Sequence, residues 1–164
     1  MKKILVLHGI NLNMFGKRDP AQYGTTTLAE IDEACRRLGT ELGVEVTCFQ
    51  TNHEGEMVER IHRAHEEKVD AVIINAGAWT HYNYGLLDAL GILKVPIVEV
   101  HMSHVHAREA FRHVSVIAPL ARGQITGFGV NSYLLGIRAV CELIRNADAR
   151  PGSISRTNST SQKT

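Results

Sequence analysis

Along the chain, short continuous apolar runs alternate with stretches in which apolar residues recur every third or fourth position. The runs are KILVL (3–7), VEVTCF (44–49), AVIIN (71–75), PIVEV (96–100) and HVSVIA (113–118). Each reads as a strand buried on both faces, since a strand with one wet face would alternate apolar with polar residues. Between and after them, TLAEIDEACRRLGTEL (27–42), EGEMVERIHRAHEE (54–67), YNYGLLDALGIL (82–93) and GVNSYLLGIRAVCELIRNA (129–147) have helical spacing. Thr27, with Glu30 three residues later, resembles a capping box that starts the first of these helices. Strands alternating with helices predict right-handed crossovers, hence a five-stranded parallel sheet covered by helices on both faces. The expected fold is α/β and flavodoxin-like, with strand order 2-1-3-4-5.

Length and composition narrow this to one domain. The chain has 164 residues, 44% of them hydrophobic, enough for a single sizeable core. That core is expected over residues 1–147, followed by a polar tail, 148–164, that offers nothing to bury and reads as disordered. Eighteen basic residues against 17 acidic ones, scattered along the chain, leave no electrostatic footprint for nucleic acid. The apolar run after Lys2 and Lys3 is too short for a signal peptide, and no stretch approaches a membrane span. Cys35, Cys48 and Cys141 are odd in number and widely spaced, which fits buried thiols in a reducing cytoplasm. A small-molecule partner remains.

In an open parallel sheet, ligands bind outside the carboxyl ends of the strands. The connection after the first strand, HGINLNMFGKRDPAQYGTT, is several times the usual length of such loops, which points to function. QTNHEGE, NAGAWTHYNYG and HMSHVHAREAFRH follow the next three strands, so amides, imidazoles, guanidiniums and phenols gather at one edge. Phosphate-cradling glycine loops are missing there. His101, His104 and His106 invite a metal reading, but their spacing is weak and no Cys or Asp completes a set. Glu99 and His101, two apart on one strand, share a face, so the carboxylate can orient the ring and favour its charged form, equipping His101 as a general acid. Its alternative is a structural ion pair. Asn75 ends the third strand and can orient a water or a hydroxyl, while Asp88 amid LLDAL must face solvent, a partner subunit or a site.

In order, GINLNMFGKRDPAQYG, FQTNHEGE, IINAGAWTH, EVHMSHVHAREAFRH and GQITGFGVNSYLLGI resemble the type II 3-dehydroquinate dehydratases, over residues 1 to about 147. The resemblance implies a flavodoxin-like subunit, usually in a dodecamer of four trimers. It implies conversion of 3-dehydroquinate to 3-dehydroshikimate in the shikimate pathway, without a cofactor or metal. By position, it implies Tyr23 as the general base, Arg18 as the arginine that activates it and His101 as the proton donor. Asn75, His81, Met102, Ser103 and Arg112 correspond to substrate contacts, Asp88 to an acid supplied to a neighbouring subunit's site, and Asn11, Glu99 and Arg108 to supporting positions. Ile10 and Ala76 depart from the family, which usually has proline at both, so looser turns are expected there.

The residues suit that chemistry. Holding a phenol as its anion at neutral pH costs about 4 kcal/mol, and a guanidinium about 4 Å away at an effective dielectric of about 20 supplies about as much. Desolvation opposes it, so Arg18 alone is marginal and a second cation such as Arg108 is wanted. An imine route lacks its nucleophile, because the lysines sit at chain ends, helix ends or in the long connection. Gly16 and Gly24 near the ends of that connection predict a lid over the substrate.

Overall fold

The structure is a computed structural model that describes residues 1–149; from residue 150 onward, the polar tail lies outside the described residues. Five parallel strands, β1 (Lys3–His8), β2 (Glu45–Gln50), β3 (Ala71–Asn75), β4 (Ile97–His101) and β5 (Gly123–Thr126), pair in the order β2-β1-β3-β4-β5. The helices are α1 (Pro20–Tyr23), α2 (Leu28–Leu42), α3 (Glu54–Glu66), α4 (Tyr84–Ile92) and α5 (Val130–Asp148). The expected α/β fold and strand order are therefore present. The reciprocal cap is present too: the Glu30 backbone N–H donates to Thr27 Oγ1 at 3.3 Å, and the Thr27 N–H to Glu30 Oε2 at 3.1 Å.

Alternate residues of each central strand feed two apolar layers, as the pleat requires. Ile4, Val6, Ile73 and Val100 pack against Ile31, Cys35, Tyr133 and Ile137 of α2 and α5, while Leu5, Leu7, Val72 and Ile74 pack against Met57, Ile61, Leu86 and Leu90 of α3 and α4. No helix among the described residues is long and apolar enough to cross a membrane.

Two strand expectations need correcting. HVSVIA is not the fifth strand: Val114 is 61% exposed, and Ser115 turns back to accept the backbone N–H groups of Ile117 and Ala118. A hydroxyl that caps its own turn competes with sheet pairing. The fifth strand is GQIT, whose half-wet edge position leaves no apolar run to read. Nor is β2 buried on both faces; it is the other edge, with Glu45 and Thr47 exposed.

Candidate active site

At the carboxyl ends of β1, β3 and β4 lies a cavity of about 140 Å³. Every candidate from the sequence lines it except Glu99, fully buried behind His101, and Asp88, which is exposed on α4. The turns after β1 and β3 form its floor by touching backbone to backbone. The Gly9 N–H donates to the Asn75 carbonyl at 2.7 Å. A Cβ on Gly9 would lie 2.2 Å from the Ala76 oxygen, and one on Gly77, at φ +61°, 2.7 Å from the Ile10 oxygen. Only glycine permits both approaches. Ile10 and Ala76, which stand where the resembled family has proline, are thus pressed against these glycines.

The long connection after β1 folds over the opening. One 3-10 turn, Leu12–Met14, buries Leu12; Phe15 is buried beside it, and α1 ends on Tyr23, whose ring lies 5.7 Å from that of Phe15. Arg18 Nη2 donates to the Tyr23 hydroxyl at 3.4 Å and Arg108 Nη1 donates to it at 2.9 Å. A guanidinium has no acceptor, so the phenol oxygen receives both and its own hydrogen is left to point elsewhere. The two cations lie 4.5 and 5.2 Å from the ring centroid. Arg108 also donates to Ser103 Oγ at 2.9 Å, which ties the phenol to the loop after β4. Arg108 is thus the nearer of the two to the phenol oxygen, although the sequence put Arg18 first.

Across the cavity, His101 Nε2 lies 3.3 Å from Glu99 Oε2. Burial opposes charge on Glu99, but hydrogen bonds from His101, Ser115 and Gln124, with the charge of His101, hold its carboxyl below the ordinary value. Ser115 and Gln124 went unrecognised in the sequence because they come from the misplaced strand and from the edge strand that replaced it. Beside them, His81 Nδ1 donates to the Val114 carbonyl at 2.7 Å. Burial, together with the nearby His101 and Arg112, pushes His81 down against the help of that carbonyl, leaving Nε2 free to accept. Arg112 is held by Glu109 at 2.6 Å.

A polar thread under the cavity also escaped the sequence. Asp32 Oδ1 accepts from His8 Nε2 at 2.7 Å, His8 Nδ1 lies 2.9 Å from the Tyr133 hydroxyl, and Asn75 Nδ2 donates to that hydroxyl at 3.0 Å. Asn75 Oδ1 accepts the Gly77 N–H at 3.2 Å. His8 closes β1 and Tyr133 lies in the apolar pattern of α5, so neither stands out locally. Among the described residues, the one group of three potential metal ligands is His8, Asp32 and Cys48; His101, His104 and His106 form none. Two ligands of one tetrahedral zinc would stand about 3.3 Å apart. The 2.7 Å contact of His8 with Asp32 is a hydrogen bond instead, and burial keeps the Cys48 thiol protonated by pushing it far up.

The model of the family described as dehydroquinase class II matches residues 2–141. The chain is 74% identical to the 3-dehydroquinate dehydratase of Syntrophotalea carbinolica over 145 residues, 88% of this chain and 98% of that one. It is 73% identical to the enzyme of the same name from Pelobacter propionicus over 144 residues, covering 88% and 97%. The type II dehydroquinase of Propionibacterium acnes superposes with a TM-score of 0.83 at 42% identity, covering 87% of this chain and 97% of that one.

Proposed function

The chain belongs to the class II dehydroquinase family, and from that premise we propose that it converts 3-dehydroquinate to 3-dehydroshikimate and water, with Tyr23 as base and His101 as acid. The observation that carries the reading is a phenol oxygen receiving two guanidiniums in the same cavity as a carboxylate-held imidazole.

Arg18 and Arg108 stabilise the Tyr23 phenolate, which takes the proton beside the substrate ketone. The electrons of that C–H bond pass into an enolate. A water held by Asn75, with Asn11 at the same floor, donates a hydrogen bond to the enolate oxygen. The enolate then expels the tertiary hydroxyl as its C–O bond breaks, and His101 protonates it to give water. With Nε2 held by Glu99, Nδ1 is the nitrogen that delivers this proton. The proton now on Tyr23 returns to His101 through solvent, so turnover needs no co-reactant.

Backbone N–H groups of Met102 and Ser103 receive the substrate carboxylate, and Arg112 and the neutral His81 bind ring hydroxyls. Lysine is absent from the cavity wall among the described residues, which disfavours an imine route. Asp88, exposed and outside its own cavity, serves a neighbouring copy in a homo-oligomer, a dodecamer of four trimers. The unpaired cysteines support a cytoplasmic setting. Addition of 3-dehydroquinate with the ultraviolet absorbance of the conjugated product followed tests the reading. Turnover is expected to survive borohydride in the presence of substrate and to be lost in Tyr23→Phe; near-normal turnover in that variant would remove Tyr23 as the base.

A further inference from the structure

The thread from Asp32 to Gly77 has fixed polarity at both ends. A carboxylate can only accept, and a peptide N–H can only donate. Asp32 therefore requires a hydrogen on His8 Nε2, while His8 Nδ1 lies 2.9 Å from the Tyr133 hydroxyl, whose hydrogen needs an acceptor. Burial keeps the Tyr133 phenol protonated, though its hydrogen bond from Asn75 acts the other way. Its O–H then points to His8 Nδ1 and its oxygen accepts from Asn75. Gly77 enforces the same orientation from the other end by donating to Asn75 Oδ1. All the hydrogens along the thread thus run one way.

His8 and Tyr133 are fully buried and Asn75 nearly so, within an otherwise apolar core. Polar groups placed there are costly unless all are satisfied, and a single misdirected hydrogen leaves at least one unpaired. An amide drawn the other way would put Nδ2 against the Gly77 N–H and leave His8 Nδ1 without a donor. In the observed orientation, one hydrogen of the Asn75 amide remains uncommitted on a residue that lines the cavity.

We propose that Asp32, His8 and Tyr133 are positioning residues that lock the Asn75 carboxamide so that it offers N–H, rather than C=O, to the reacting centre. This rests on the dehydratase reading for its effect on rate. Asn75 needs that polarity because negative charge develops on the substrate oxygen: an N–H donating to the intervening water leaves both water hydrogens free to turn towards that oxygen, whereas a carbonyl would take one of them. Asp32 acts on this from α2, through three hydrogen bonds, without lining the cavity.

The test combines a kinetic cycle with nitrogen NMR of the full chain. Tyr133→Phe is expected to lower kcat about tenfold with KM changed less than about twofold. In an Asn75→Ala background, the same substitution is expected to change kcat less than about twofold, because its route to the substrate has gone. Multiplicative, independent effects would make Tyr133 a packing residue and overturn the proposal. Ring-labelled His8 is expected to carry its hydrogen on Nε2, and the Asn75 side-chain N–H to exchange at least about tenfold faster in Tyr133→Phe. A hydrogen found on Nδ1 alone would reverse the thread and refute it. Asp32→Ala, at a half-buried position, provides a second variant should Tyr133→Phe not fold. It is expected to give a mixture of His8 tautomers and a fall in kcat, and an unchanged ring would refute the role of Asp32. If the wild-type chain turns over no 3-dehydroquinate, the dehydratase reading fails, while the NMR arm still decides whether the amide is locked.

Discussion

Arg108→Met removes the nearer of the two guanidiniums from the Tyr23 hydroxyl while keeping most of the side chain's volume. Arg108 donates to that oxygen at 2.9 Å with its side chain only 11% exposed, against 3.4 Å for the half-buried Arg18. Opposite unit charges about 4 Å apart at an effective dielectric of about 20 attract by about 4 kcal/mol, roughly three decades in rate. Water entering the vacated space returns part of this, so the expected loss of kcat/KM is about a hundred- to a thousandfold. Arg18→Met, removing the longer and more screened contact, is expected to cost about ten- to a hundredfold. Arg108→Lys restores the charge, but its more strongly hydrated and less directed ammonium does not reproduce the placement of Nη1 between Tyr23 and Ser103, so it should fall between wild type and Arg108→Met. A variant keeping more than a third of wild-type kcat/KM would refute the electrostatic role.

Four further outcomes are expected. Because the Glu99 carboxyl is held below its ordinary value of 4.5, its contribution to stability is fully present above that pH and is lost as pH falls through the lowered value. The urea-unfolding difference between wild type and Glu99→Gln should therefore shrink in acid, and a difference that grows would contradict it. Ala76 has φ −78°, near what proline requires, so Ala76→Pro should raise stability by about 0.4–1 kcal/mol in thermal unfolding; a lower Tm would mean that the close turn rejects the ring. Burial, with the nearby Asp32 charge, pushes the Cys35 thiol up to about 12, so iodoacetamide at pH 8 should leave it unmodified in the native chain and alkylate it in urea. A substrate analogue should slow proteolysis within residues 15–24, and equal cleavage with and without it would dismiss the lid.

How much of this was legible depended on how completely each element is buried. The central strands could be read because a parallel strand between two helical layers needs Val, Ile and Leu at every position, as in AVIIN. The edges could not. GQIT carries too little apolar surface to announce itself, while HVSVIA imitates a strand although its serine folds the backbone into a turn. Within the site, Tyr23, Arg18 and His101 stood out through spacing and resemblance. That Arg108 lies closer than Arg18 follows from the loop after β4 folding back by way of Ser103, which no local pattern records. His8, Asp32 and Tyr133 lie far apart in sequence, and each has an ordinary explanation where it stands. Only their meeting under Asn75 gives them meaning.

Among the described residues, the cavity wall carries Arg18, Arg108 and Arg112 and no aspartate or glutamate, in a chain whose formal net charge is only +1. Overall neutrality thus conceals a local trap for anions. Phosphate, sulfate or a metabolite carboxylate in the medium is expected to compete with the substrate for it. Ionic strength acts twice, by screening the attraction that draws an anion in and by supplying rivals once it arrives. Apparent affinity therefore belongs to the medium as much as to the protein, and a comparison between two such enzymes has meaning only at matched salt.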